Sequence, residues 1–366
     1  MMKKNLLNLL EPASLVDAFL SAPPEGFTPA VIEADSNKAP GFLTRLDLAT
    51  TAGKGAKEVL QRLGFLVPKP KTLFIGTTVS EYALFPDGVS PLTLKKTAIA
   101  KLRQLKASFL IIKDIPCASP LLTEKENRYA KELVVECEKS GFIIMRGLSL
   151  AYVPINFAST EEFLRRFSQS RRKDFKRKLR SFSDITVEAV PTGAPFFDDA
   201  AVEFLYGLFL NVYNQSEVHF DRLTVEFFKT VFADKKSGGM VFLYRHAGRI
   251  IGFNLCFVSG GRMVDKYVGF VYPDAREHNL YFLSWFYNLD YCVKNGLKAF
   301  IAGWTDPKVK AYLGAEFTRT LHAVYIKNPL LRVVLKRFKG VFESDEKTPD
   351  RQPQASACVL CAESVE

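Results

Sequence analysis

The segment Met263 to Val271 alternates in character, so that Asp265, Tyr267 and Gly269 are expected on one face of a strand and Lys266, Val268 and Phe270 on the other. If the first face lines a cleft, the Asp265 carboxylate can take a proton through a water and Tyr267 can hold a substrate. The plainer account is an ion pair of Asp265 with Lys266 or Arg262 on a solvated face. A few residues on, Arg276, His278 and Asn279 precede a helical pattern, where free amides and the positive end of the helix dipole favour an anion. A capping or surface role competes for His278. His219, in His219-Phe-Asp221-Arg222, precedes another helix and can line an acceptor pocket, unless Asp221 simply pairs with Arg222. Trp304 ends a strand, where it can stack on a substrate or pack against its neighbours.

These residues need a frame, and residues 240 to 317 supply one. Two apolar runs around His246-Ala247-Gly248-Arg249 read as a hairpin. A third strand starts after Gly260-Gly261 and runs to about Val271. The period then changes from two to about 3.6. Asn279 is expected to cap a helix with Phe282, Leu283, Phe286, Leu289 and Val293 on one face, ending at Asn295-Gly296. Leu297 to Trp304 returns as a strand, and Pro307 opens a short helix that ends near Gly314. The order is strand, strand, strand, helix, strand, helix.

Upstream, the spacing predicts a helix over 5–20, strands at 30–34, 43–48 and 71–78, a helix over 94–106, a strand at 108–113 and a helix capped by Thr123. The Gly53-Lys54-Gly55 turn lacks the spacing of a phosphate loop. Cys137-Glu-Lys-Ser-Gly141-Phe and Cys292-Val-Lys-Asn-Gly296-Leu each close a long helix and enter a strand, 155 residues apart. Two related domains are therefore expected, residues 1–158 and 159–340, with a disordered tail over 341–366. Each would be an α+β unit with a mixed, mostly antiparallel sheet flanked by helices. A last pair of strands is expected around 318–326.

A hydrophobic fraction of 48% with 31 Phe is ample for packed cores. No apolar run reaches the roughly 18 to 20 residues that a membrane-spanning helix needs, and the start of the chain lacks the pattern of a signal peptide. The expectation is a cytoplasmic protein. Cys117, Cys137, Cys256 and Cys292 sit singly in apolar surroundings, as buried thiols do. Cys358-Val-Leu-Cys361 is a lone CxxC in a polar tail, so no metal site is expected. The net charge of +11 is concentrated: residues 163–180, read as one helix, hold nine cations against Asp174. Either this is a solvated face, or it meets a phosphate-rich partner such as tRNA, an acyl carrier protein or anionic lipid; DNA is not expected. Residues 328–342 mix Leu, Val and Phe with four cations, which would suit peripheral contact with the inner face of a membrane.

The element order resembles that of the GNAT superfamily of N-acyltransferases, and the tandem arrangement with a basic helix is similar to its Fem-type and CelD-like branch. Phe253 through Phe317 carry the resemblance. Val271-Tyr-Pro-Asp-Ala-Arg276 resembles the segment where GNAT proteins leave their central strand. Lys310-Ala-Tyr312-Leu-Gly314 resembles the Lys-x-x-Leu-Gly motif of Fem-type enzymes. The resemblance implies transfer of an acyl group from a thioester, acyl-CoA or acyl carrier protein, to an amine on an envelope or lipid-linked molecule, with no tightly bound cofactor. It further implies that Tyr312 protonates the leaving group, that Lys310 holds a phosphate or carboxylate, and that Val271, Arg276 and Asn279 belong to the donor site. Ordinary GNAT enzymes carry a Gly-rich loop where this chain has Arg276-Glu-His-Asn-Leu280, with no glycine. An aminoacyl-tRNA donor therefore stays open, as does a non-catalytic module that binds nucleic acid or an anionic surface.

Overall fold

The computed structural model describes residues 6–47, 69–216 and 220–337. The chain begins β1 (Leu6–Leu7), α1 (Ala13–Ser21), β2 (Thr28–Pro29), β3 (Ile32–Ala34), β4 (Asn37–Ala39), β5 (Gly41–Arg45), β6 (Lys71–Ile75), β7 (Phe85–Pro86), α2 (Pro91–Gln104), β8 (Phe109–Cys117), α3 (Glu124–Lys139), β9 (Ile143–Arg146) and β10 (Leu150–Pro154). It continues α4 (Thr160–Arg165), α5 (Gln169–Leu179), β11 (Ile185–Pro191), α6 (Asp199–Tyr213), α7 (Val225–Phe232), β12 (Gly239–His246), β13 (Arg249–Ser259) and β14 (Arg262–Phe270). It closes with α8 (Asp274–Glu277), α9 (Leu280–Lys294), β15 (Ala299–Gly303), α10 (Pro307–Tyr312), β16 (Glu316–Ile326) and α11 (Pro329–Arg337). The chain forms two compact units, one of Met1–Leu9, Phe19–Ala151 and Trp304–Glu366, the other of Leu10–Ala18 and Tyr152–Gly303.

In the first unit the strands run in the order β16-β8-β6-β5-β2, with β9 also on β16. β6 and β8 are parallel and the other pairs antiparallel. Helices α2 and α3 bury Leu94, Ala98, Leu133 and Cys137 with Leu73 and Leu110 of the sheet. Ser90 caps α2 just before Pro91, so that helix starts earlier than its apolar spacing suggests. Thr123 and Glu126 form a reciprocal capping box on α3. Near the start of the chain the expected helix is shortened to Ala13–Ser21, because Asn8 adopts φ 67° and donates from a buried amide to the Ala83 carbonyl at 2.9 Å. The expected pair of strands at 318–326 is the single strand β16, paired with β8 from Arg319↔Cys117 to Ile326↔Phe109. This pairing draws Trp304 onward into the first unit, whereas the sequence suggested a cut near residue 158 with 159–340 together.

In the second unit β11-β12-β13-β14 is an antiparallel run, and β15 adds in parallel beside β14. Ala247 and Gly248 both have positive φ, as do Gly260 and Gly261, and each pair closes a two-residue hairpin turn as expected. The basic segment is two helices, not one. Ser168 at φ −58° and ψ 157° interrupts it and accepts from the Arg171 amide to start α5.

The two helix ends that resemble each other in sequence close alike. Phe142 N–H returns to Cys137 O at 3.1 Å and Leu297 N–H to Cys292 O at 2.9 Å, with Gly141 and Gly296 at positive φ. All four of Cys117, Cys137, Cys256 and Cys292 are buried free thiols. The tail, the Gly53–Gly55 turn and Cys358 and Cys361 lie outside the described residues. Among the described residues no helix is long and apolar enough to cross a membrane.

Candidate functional site

Strand β14 is regular up to Val264 and then changes on both sides. Toward β13 the register slips by one residue: Cys256 faces Asp265, whereas Leu255 faces Tyr267, which leaves Lys266 as the extra residue of a bulge. Toward β15 the parallel pairing covers Arg262↔Ala299, Met263↔Phe300 and Val264↔Ile301 and stops there, although β15 runs on to Gly303. The two strands therefore part at Asp265. Val271 N–H donates to Ile251 O at 2.8 Å, so the alternation of the ladder turns the amide and carbonyl of Phe270, and two residues earlier those of Val268, away from β13 into the opening. The Phe270 carbonyl is met by Asn211 Nδ2 of α6 at 3.0 Å.

The bulge corrects the expectation that Asp265 and Tyr267 share a face. A slip of one residue inverts the side-chain alternation. Tyr267 points to the helices α6 and α7, its ring edge-on to Phe209, Phe227 and Phe228 at 6.1, 5.9 and 5.5 Å. Gly269 lies on that side too, where a Cβ would come within 2.7 Å of the Phe209 amide nitrogen. Asp265 faces α9. Its Oδ1 accepts from Asn254 Nδ2 at 2.6 Å and its Oδ2 lies 3.5 Å from Asn288 Nδ2, which also reaches Asn254 Oδ1 at 2.8 Å. Burial pushes the neighbouring Tyr244 phenol and Cys256 thiol well above their ordinary pKa values, and the Asp265 charge adds in the same direction. Neither group ionises at neutral pH. Lys266 pairs with Glu11 at 3.7 Å, both side chains being almost fully buried.

At the end where the strands part, β14 leads through Val271 into the turn before α9. Asn279 occupies the cap position at φ 53° and ψ 41°, but its side chain makes no capping bond, contrary to expectation. Its carbonyl accepts from the Phe282 and Leu283 amides at 2.9 and 3.0 Å, the first bonds of the helix. Arg276 stacks over Tyr272 at 4.9 Å and donates to Gln215 at 2.7 Å. His278 lies against His246 of β12, ring centroids 4.1 Å apart, a neighbour that sequence spacing did not reveal. His219 lies outside the described residues.

The basic helix α5 is docked on the start of α9. Phe175, fully buried, packs on Phe282 and Phe286 at 5.3 and 5.4 Å, and Lys178 lies over the Phe282 ring at 5.3 Å. Lys173, Lys176 and Arg177 of the same helix stay exposed. Their charge thus stands on a helix docked against the first turns of α9, a packing that no local pattern in the sequence contains.

The remaining expected residues belong to the first unit. Trp304 is edge-on to Tyr82 at 6.4 Å, and the Tyr82 hydroxyl donates to Ser119 at 2.8 Å. On α10, Lys310 is 3% exposed and Tyr312 39% exposed, the reverse of a surface lysine beside a packed tyrosine. A buried ammonium is costly unless it is engaged, which separates Lys310 from an ordinary surface residue.

The sequence matches no curated protein. Solved structures share the fold, among them the following three. The C-terminal domain of a protein described as a lysylphosphatidylglycerol synthetase from Agrobacterium fabrum is 14% identical with a TM-score of 0.54, over 90% of each chain. L-PGS from Bacillus licheniformis is 11% identical with a TM-score of 0.52, over 91% of this chain and 98% of that one. FemX is 11% identical with a TM-score of 0.50, over 90% of this chain and 94% of that one. The fold is α+β, as expected, and is shared with FemX. The model of the FemAB-like family, described as peptidoglycan biosynthesis/recognition, matches residues 121–353, well over half of the chain, and the protein belongs to that family.

Proposed function

We propose that the second unit transfers an acyl group to an amine and takes it from a polyanionic carrier, an aminoacyl-tRNA, rather than from coenzyme A. The observation that carries this reading is the docking of α5, with Lys173, Lys176 and Arg177 exposed, on the first turns of α9, the helix into which the turn of Arg276 and His278 leads. Such a surface suits a long phosphate backbone. The turn at 276–280 lacks glycine, which disfavours close approach of a compact pyrophosphate to the backbone. Arg276 and His278, with His246, would hold the terminal phosphates, and Val271 would line the entrance.

The donor carbonyl would enter where β14 leaves β15. There the amine nitrogen attacks the ester carbon, an amide forms, the C–O bond to the carrier breaks, and the released hydroxyl takes a proton. The Val268 amide, directed away from β13, would stabilise the oxyanion. The attacking amine gives up one proton as the amide forms, which balances the one that the released hydroxyl takes up. The acceptor would be an amine on an envelope or lipid-linked molecule, in keeping with the family's description.

The test is binding of aminoacyl-tRNA, long-chain acyl-CoA and acyl carrier protein, each alone and over a range of salt. Aminoacyl-tRNA is expected to bind, with log affinity falling by about 0.7 to 0.9 per neutralised phosphate for each decade of salt, and the K173E/K176E/R177E variant is expected to lose that binding. Binding of acyl-CoA or acyl carrier protein alone, unaffected by the triple variant, would overturn the assignment of the donor.

A further inference from the structure

Helix α11 turns its charge inward and its hydrocarbon outward. Arg332 faces the protein: its guanidinium stacks over Tyr325 at 4.2 Å and donates from Nε and Nη2 to the Ile326 carbonyl at 2.9 and 2.7 Å. The Leu331 amide is held by Asn328 Oδ1 at 3.2 Å, so the helix is fixed at its start as well. On the opposite side Leu330, Val333 and Val334, three and four residues apart and hence on one helical face, are 78%, 71% and 51% exposed. Leu331 adds 40%. An ordinary surface helix shows the reverse arrangement, and a stripe of aliphatic side chains held outward by an inward arginine is an interaction surface.

We propose that this face lies on an anionic lipid bilayer. The nine residues Pro329–Arg337 contain no acid, and exposed cations stand at both ends of the stripe, Lys327 before it and Lys336 and Arg337 after it. Long basic side chains at the margins of an aliphatic stripe let the hydrocarbon enter the interface while the charges meet anionic head groups. The outward side chains are wholly aliphatic, with no amide or hydroxyl at the centre to set a register with a protein partner. The sequence continues Phe338-Lys339-Gly-Val341-Phe342, a composition of the same kind. The inference stands apart from the reaction proposed above, since α11 belongs to the first unit and the test needs no donor.

The test is flotation of the full chain with vesicles of phosphatidylcholine alone and with about one third phosphatidylglycerol, together with light scattering of the free protein. The protein should float with the anionic vesicles and far less with the neutral ones. The L330E/V333E variant should keep its melting temperature, because both side chains are exposed, and its partitioning should fall by about tenfold or more. Lys336→Gln with Arg337→Gln should weaken partitioning to the anionic vesicles roughly tenfold or more while leaving the slight neutral binding unchanged. The proposal is overturned by absent flotation, or by flotation that survives L330E/V333E. A dimer that L330E/V333E splits would also overturn it, by giving the face to a second copy of this chain.

Discussion

Asp265 sits at the point where β14 changes partners, and both of its oxygens face amide donors, Asn254 at 2.6 Å and Asn288 at 3.5 Å. A carboxylate so engaged ties β14 to β13 and α9, as a positioning residue would. The sequence suggested a base acting through water, and one substitution separates the two roles. Asp265→Asn sets two amide nitrogens against each other and is expected to cost about 1–3 kcal/mol of stability, read as a lower midpoint in denaturant, with weaker donor binding. An unchanged midpoint with turnover reduced by about a hundredfold or more would instead identify the base. The residue types were legible in the sequence here, but their orientation was not. Nothing in Met263-Val-Asp-Lys-Tyr267 marks which residue is extra, and the bulge is set by the register with Leu255 and Cys256 across the ladder.

At the scale of elements, turn and cap chemistry was readable because it is local. Gly248, Gly260-Gly261 and Thr123 act where their types require. Asn279 shows the limit: it stands at the expected cap position, but its backbone is left-handed there and its side chain makes no capping bond. The approach of α6 to β14 was not readable. It depends on Gly269, where an added Cβ would meet the Phe209 nitrogen at 2.7 Å and the Leu208 carbonyl carbon at 2.8 Å, backbone atoms that cannot rotate aside. Gly269→Ala is therefore expected to destabilise the protein by about 1–3 kcal/mol and to lower its melting temperature. An unaltered melting curve would mean that α6 is free to shift.

For the whole molecule, the order of elements was legible and the membership of the units was not. The first unit takes β16 from beyond residue 303, and Leu321 and Ala323 of that strand belong to its core. The second unit takes Leu10–Ala18 from the start of the chain, including Glu11, the buried partner of Lys266. Such pairings join residues far apart in sequence, and no local period records them. A fragment of residues 1–158 would expose the β8 edge where β16 belongs. It is expected to lack a cooperative thermal transition, whereas a folded fragment with a sharp transition would contradict the pairing as a requirement for stability.

The central claim is that the donor binds where β14 and β15 part, beside the start of α9. Amide hydrogen exchange of the full chain, with and without aminoacyl-tRNA, tests it most directly. The account predicts slowed exchange in the segment from Asp265 to Leu283, including the Val268 amide, and in the basic helix Gln169–Leu179. Protection confined to other segments, or an exchange pattern unchanged by a donor that demonstrably binds, would contradict it.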